Sequence, residues 1–223
     1  MEKLQPRRLV LLVTGMLFMA FGIALSVRSD LGTTTISSLP YVLSLISPLT
    51  LGMTTIIFNI GLVLIQVLLL RSRFQAFQLL QIPLAVVFGL FNDLALWLTS
   101  WVTYSAYWQQ WLIVLIGLLL LSTGICFQIS ANTLMLAGEA VVLAISTELS
   151  RVFGKRRLFV FGHVKIGFDL ITVISAIILG LLFAGAVVGV REGTVAAAFL
   201  IGTIVKRVQP VIGPPLVRFR GGA

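Results

Sequence analysis

Only 10% of the 223 residues are charged, where a soluble domain carries about 25%, and 59% are hydrophobic. A chain so short of charge cannot cover itself with a water-facing surface, which excludes a cytosolic enzyme, a nucleic-acid binder and a disordered tail. Acidic residues are the scarcest group, 7 against 16 Lys and Arg. The basic excess does not point to nucleic acid, because most of it sits in short polar gaps between apolar runs, the footprint of membrane topology. One cysteine, Cys126, lies inside an apolar run, so a disulfide framework or cysteine metal cluster within one chain is excluded. The one histidine, His163, is accompanied by no zincin motif, and there is no phosphate loop. No catalytic residue, metal or cofactor is expected, and the chain is not expected to be an enzyme.

What the chain has is six apolar runs able to cross about 30 Å of hydrocarbon, at 9–27, 51–70, 76–99, 109–129, 158–184 and a short one at 193–208. The first is too long for a signal peptide and lacks a small-x-small cleavage site, so it reads as a retained helix. With the N-terminus inside, Lys3, Arg7, Arg8, Arg71, Arg73, Arg151, Lys155, Arg156, Arg157, Lys206, Arg207, Arg218 and Arg220 fall on the inner side. That is thirteen of the sixteen basic residues, and it predicts both termini in the cytoplasm. Trp97, Trp101, Trp108 and Trp111, with Tyr104 and Tyr107, gather around the third connection, as amphipathic rings do at headgroup level. Two long connections, 28–50 and 130–157, contain SLPYVLSLIS and EAVVLAISTELSRVF, which have helical spacing but are too short to span. Both are expected to be re-entrant or interfacial half-helices.

The two halves resemble each other. An offset of 102 pairs Gly15 with Gly117, Gly22 with Gly124 and Asp30 with Asn132. An offset of 110 lays GMTTIIFN (52–59) on GHVKIGFD (162–169), and one of 113 pairs Gly89 with Gly202 and Asp93 with Lys206. The drift runs in one direction, as small insertions would produce, against the competing explanation of chance matches between Leu-rich helices. Units of three spans each, 1–104 and 105–223, must lie inverted relative to one another, as in many secondary transporters whose site is at the midplane between units. The fold expected is all-α, a polytopic membrane protein of six transmembrane helices in two inverted three-helix repeats.

An ionisable group in hydrocarbon costs at least about 2.5–3.5 kcal/mol on insertion scales, so each needs a partner, water or a substrate. Asp169 is about 16 Å into the fifth span at 1.5 Å per residue, with Lys165 one turn before it. The two either neutralise each other or line a polar cavity. Asp93, flanked by VVFGLF and LALWL with no basic residue nearby in its helix, is expected to be the principal functional acid, meeting Lys206 across the repeat axis. Lys206 reads equally as a cytoplasmic anchor. His163 reads as a structural residue or a proton-coupling group. In VRSDLGTTTISSLPYV, Arg28 and Asp30 can pair locally, and Thr33, Thr34, Thr35, Ser37 and Ser38 offer hydroxyls at a half-helix start, for an anion or simply as caps. Glu139 stands at the equivalent start in the second unit, as a cap or as an acid competing with a substrate. Gly185 and Gly189 are spaced for close helix packing.

The stretches SDLGTTTISSLPYVLSLISPLTLGMTTIIFN, LLQIPLAVVFGLFNDLALWL and GVREGTVAAAFLIGTIVK resemble the bacterial YczE/YitT-like integral membrane proteins, in the branch described as of unknown function. The resemblance runs from about residue 10 to 207. It rests on Asp30, Leu31, Gly32, Ser37, Ser38, Pro40, Asn59, Asp93, Glu139, Asp169, Arg191, Glu192 and Gly193. It implies a bacterial inner-membrane protein and no particular substrate. The chain departs from the pattern at Thr35, where relatives often have proline, and at Gly202 to Lys206, where they often have GPIVK.

The expected function is secondary transport of a small polar or charged solute. Asp93, Asp169, Lys165, Glu139, Asn59, Thr33, Thr34, Ser37 and Ser38 are the expected substrate-binding residues, and His163, Arg191, Glu192, Lys206, Arg28 and Asp30 the gating or coupling ones. Expected partners are the lipid bilayer, the solute, protons or sodium as coupling ion, and a second copy in a homodimer; nucleic acid is not expected. The alternative is an integral membrane protein that anchors or regulates a partner complex, which requires mutually satisfied charges and no cavity.

Overall fold

The computed structural model describes residues 5–154 and 157–221. Lys3, Lys155 and Arg156 of the topology argument lie outside the described residues. Eight α-helices follow in order: α1 (Pro6–Arg28), α2 (Thr35–Ile46), α3 (Leu51–Leu70), α4 (Gln81–Leu98), α5 (Tyr107–Ala131), α6 (Ala137–Phe153), α7 (Phe161–Ala184) and α8 (Glu192–Arg220). No strand occurs among the described residues. Six of the helices are long and apolar enough to cross a membrane, so the architecture is that of a multi-pass membrane protein. The two short ones, α2 and α6, occupy the long connections. Outward faces carry large bare side chains such as Leu68, Leu182 and Phe199, more than 70% exposed, which suit a lipid environment.

α1 runs through the middle and crosses α5 antiparallel, and glycine sets the approach. A Cβ on Gly22 would stand 2.6 Å from the Gly117 carbonyl oxygen, and one on Gly15 would stand 2.8 Å from that of Gly124. Backbones this close need residues without side chains, the small-residue packing of helices in lipid. The core around them joins Leu12, Met16 and Ile23 of α1 to Phe88 of α4 and Leu121 of α5. Gly185 and Gly189, by contrast, do not pack helices together: both lie at positive φ in the turn after α7.

Polar side chains tie the short helices to the long ones. Gln66 and Gln81, both buried, exchange amide hydrogen bonds at 3.0 and 3.3 Å, and Gln66 Nε2 also donates to the Ala137 carbonyl at the start of α6 at 3.3 Å. Thr172 Oγ1 in α7 donates to the Thr35 carbonyl at the start of α2 at 3.3 Å. Each of α1 and α5 is followed by a residue at positive φ, Asp30 (φ 57) two residues beyond α1 and Asn132 (φ 48) directly after α5, side-chain types enriched in that region.

The last helix corrects the expectation of a short span ending near 208. α8 continues to Arg220 through Pro210, Pro214 and Pro215. Each proline removes one backbone donor, but its fixed φ is helical, and Gly213 has no Cβ to clash with the proline that follows. Tertiary contacts hold the extension: Gln209 Nε2 donates to Ser130 Oγ at 3.2 Å and Arg220 Nη1 to the Ser130 carbonyl at 2.9 Å. The Arg220 bond occupies a carbonyl at the α5 C-terminus, where helical partners run out.

Candidate functional site

α2 and α6 both begin at one central cavity of about 320 Å³, and all eight helices contribute to its wall. The volume lies at the small end of ligand pockets. Most of the lining is apolar, with Ile23, Phe58, Phe88 and Ile125 prominent. Its polar groups come from four places: Thr34, Thr35 and Ser37 at the α2 start, Glu139 in the first turn of α6, Thr55 and Asn59 on α3, and Lys165 and Asp169 on α7. The tips of the half-helices touch, since a Cβ on Gly138 would collide with the Ile36 side chain.

The charges are unequally matched. Lys165 Nζ reaches Asp169 Oδ1 at 2.6 Å, each side chain about a quarter exposed. The pair therefore does both things the sequence allowed: it neutralises itself and it faces a cavity. Glu139 has no such counterpart, and its Oε2 is shielded from solvent without a hydrogen-bond partner. Thr34 is 3% exposed and its hydroxyl is also unpartnered. The α2 N-terminus has no side-chain cap and no acid in its first turn, although the Ser37 N–H donates to the Thr34 carbonyl at 3.1 Å. Asn59 satisfies itself by donating to the Thr55 carbonyl at 2.8 Å.

Several expected site residues lie elsewhere. Asp93 is not the cavity's acid: its Oδ2 accepts from Thr50 Oγ1 at 2.6 Å and its Oδ1 from the Gly52 N–H at 2.7 Å, so it caps α3 from α4. Nor does it meet Lys206, which is exposed on α8. Arg28 does not pair with Asp30; it donates to the Leu96 carbonyl near the end of α4 at 2.7 Å. Asp30 instead faces Arg191, whose Nη1 donates to its carbonyl at 2.8 Å, while Arg191 Nε lies 3.3 Å from Glu192. These three fasten the loop before α2 to the start of α8, where the Gly193 N–H donates to the Leu31 carbonyl at 2.8 Å. Thr33 is buried outside the cavity lining, Ser38 Oγ donates to the Thr34 carbonyl at 2.9 Å, and His163 is exposed on the first turn of α7.

Two contacts that correspond under the sequence offsets differ in state. Gly52 and Gly89 touch, a Cβ on Gly89 falling 2.7 Å from the Gly52 carbonyl oxygen, and Asp93 clasps the same junction of α3 with α4. Gly162 and Gly202 have open space where a Cβ would be, and Gly202 lines the cavity.

Sequence reasoning missed Gln66, Gln81, Thr55 and Thr172. The signal was available for the glutamines, which interrupt apolar runs as Asp93 does. It also missed a second, more polar cavity of about 730 Å³ between the α3–α4 connection, α5 and α6, whose walls include Arg73, Gln78, Gln128 and Asn132.

A family model described as Family of unknown function (DUF6198) matches residues 6–210. The chain belongs to this family. The match covers every residue lining the central cavity, so the cavity is built wholly from the family's own region. No curated protein and no solved structure matches the chain.

Proposed function

We propose that this family member is a secondary transporter of a small polar or charged solute, built from two inverted units, 1–104 and 105–223, around one shared site. The observation that carries the reading is that α2 and α6, too short to span, both start at the central cavity that all eight helices line. Half-helix ends aimed at a common midplane site are how such transporters hold a solute inside a membrane.

Several equivalences support the two units. At the offset of 102, Gly15 corresponds to Gly117 and Gly22 to Gly124, and the contacts run crosswise, Gly15 on Gly124 and Gly22 on Gly117, as a two-fold axis between α1 and α5 requires. The same offset relates the left-handed Asp30 to Asn132, and the Thr35 carbonyl held by α7 to the Ala137 carbonyl held by α3. Against this background the closed Gly52–Gly89 contact and the open Gly162–Gly202 pair are two states of one joint. Closing α7 on α8 while parting α3 from α4 would exchange the two, and would expose the cavity to opposite sides in turn. The resemblance to YczE/YitT-like proteins supports a bacterial inner membrane as the setting, and the bias of basic residues supports both termini in the cytoplasm.

The test is a thermal-shift screen of the purified protein against a metabolite panel, followed by counterflow of any hit in vesicles, with Asp169→Asn alongside. A solute at a hundredfold excess over its Kd stabilises by about 2.7 kcal/mol if it binds only the folded state. The expected result is a shift abolished in the variant and counterflow in the parent. If no solute shifts or exchanges while the variant folds normally, transport is refuted. The anchoring alternative predicts instead that no solute shifts the protein or exchanges across the vesicle.

A further inference from the structure

Glu139 has a position that neither transport in general nor capping of α6 accounts for. It lines both cavities: the central one, and the polar cavity that Arg73, Gln78, Gln128 and Asn132 help to enclose. Among the described residues no other titratable side chain lines both. Ile125, the other shared residue, is apolar, so the polar route between the two spaces runs through one carboxyl. The shielded, unpartnered Oε2 is an atom with spare hydrogen-bonding capacity at that junction.

Resting on the transporter reading, we propose that Glu139 is the coupling carboxyl, taking up a proton from the polar cavity and releasing it on the central one as the solute is bound and moved. The charges around it suit a group that must change state. Apolar walls and Asp169 favour the neutral acid, whereas Lys165 and the N-terminal donors of α6 favour the carboxylate. Lys165 and Asp169 of α7 line the central cavity with it, and Arg73 lines the polar cavity but is held by Glu148 at 2.7 Å, with Arg151 at 3.5 Å on the same carboxylate. α2 and α5 bring only hydroxyls and amides to these walls. A solute that perturbs the Lys165–Asp169 pair therefore alters the balance at Glu139 directly. A metal cation suits the place less well, because the positive end of α6 repels it, and no group of three His, Cys, Asp or Glu able to hold one occurs among the described residues.

The test needs no known solute. Dicyclohexylcarbodiimide adds to protonated carboxyls in apolar surroundings and leaves a stable N-acylurea that peptide mass spectrometry locates. Applied to the full-length protein in phosphatidylethanolamine–phosphatidylglycerol vesicles, it is expected to label Glu139, with labelling falling about tenfold per pH unit above a midpoint. In Asp169→Asn that midpoint is expected to move down, since the variant loses a repelling charge and frees Lys165. Absence of label on Glu139 at every pH, or a midpoint unmoved in Asp169→Asn, overturns the proposal. So does protection by sodium chloride but not choline chloride at fixed pH, which would assign a metal cation instead. Failure here leaves the transporter reading standing, and a panel without counterflow would sink that reading while Glu139 still labelled. With a solute in hand, Glu139→Gln is expected to retain counterflow and lose accumulation driven by a pH gradient.

Discussion

If the clasp on α3 holds one gate shut, weakening it should open that gate by a calculable amount. Asp93 accepts two short hydrogen bonds as a carboxylate, from Thr50 Oγ1 and the Gly52 N–H. Asp93→Asn keeps the shape but offers one acceptor, so its amide must turn donors toward one of those two donors. A hydrogen bond to a charged group contributes about 1.5–3 kcal/mol. If that loss falls on the α3–α4 contact, the open fraction rises between about tenfold and about 150-fold, at 1.36 kcal/mol per decade. The reporter is Thr55→Cys, because Thr55 is buried on α3 and lines the cavity, in a Cys126→Ala background that removes the one native thiol. The rate of modification by a membrane-impermeant maleimide is expected to rise by that factor in Asp93→Asn. A rate within twofold of the parent would refute the argument. So would an equal rise at Cys126 in a parallel variant that retains it, because the defect would then be general loosening.

Gly22→Ala places a Cβ 2.6 Å from both the Gly117 carbonyl oxygen and the Leu121 Cβ, so it is expected to cost about 1–3 kcal/mol and lower Tm in detergent, whereas Gly167→Ala, with open space around it, should leave Tm unchanged. In the cycle Lys165→Met, Asp169→Leu and both together, each single change strands a charge among apolar walls, and the double variant should recover more than half of either loss in Tm; simple additivity would show that the pair is not coupled.

The spans and the two short helices were legible because they follow from length and hydropathy alone, and the Lys165–Asp169 pair because i,i+4 spacing on a helix brings such residues together. Asp93 was misread for a related reason. Its own helix offers no partner, and the groups that satisfy it come from a helix more than forty residues earlier, one of them a backbone N–H that no side-chain pattern announces. Arg28 and Asp30 looked like a local pair, yet each is drawn off by a distant segment, α4 and the start of α8. The prolines of α8 marked a break that tertiary bonds to Ser130 override. The polar cavity beside Glu139 was beyond reach, since the α3–α4 connection, α5 and α6 form it jointly.

On the two-unit transporter reading the two joints are unequal in charge as well as in state, and that inequality predicts which of them rests open. At the start of α3 a carboxylate meets the positive end of a helix, which is favourable. The residue corresponding to Asp93 in the second unit is Lys206, and the helix it would approach on closure, α7, begins with no side-chain cap and no acid in its first turn. Bringing an ammonium to that end costs about 0.3–1 kcal/mol where a carboxylate would gain as much. On that reading the α7–α8 joint lacks the clasp of its counterpart, and its closure is expected to be driven by what enters the cavity, because a ligand shifts an equilibrium only by its difference in affinity for the two states. Lys206→Asp reverses the sign of that contribution. In a Gly162→Cys, Gly202→Cys pair on the Cys126→Ala background, cross-linking by a short bifunctional reagent is expected to be several-fold faster with Lys206→Asp than with Lys206 retained. Lys206→Ala should fall between them. Equal rates in all three would mean that charge at this position has no part in holding α7 away from α8, and the open joint would then need a cause in packing alone.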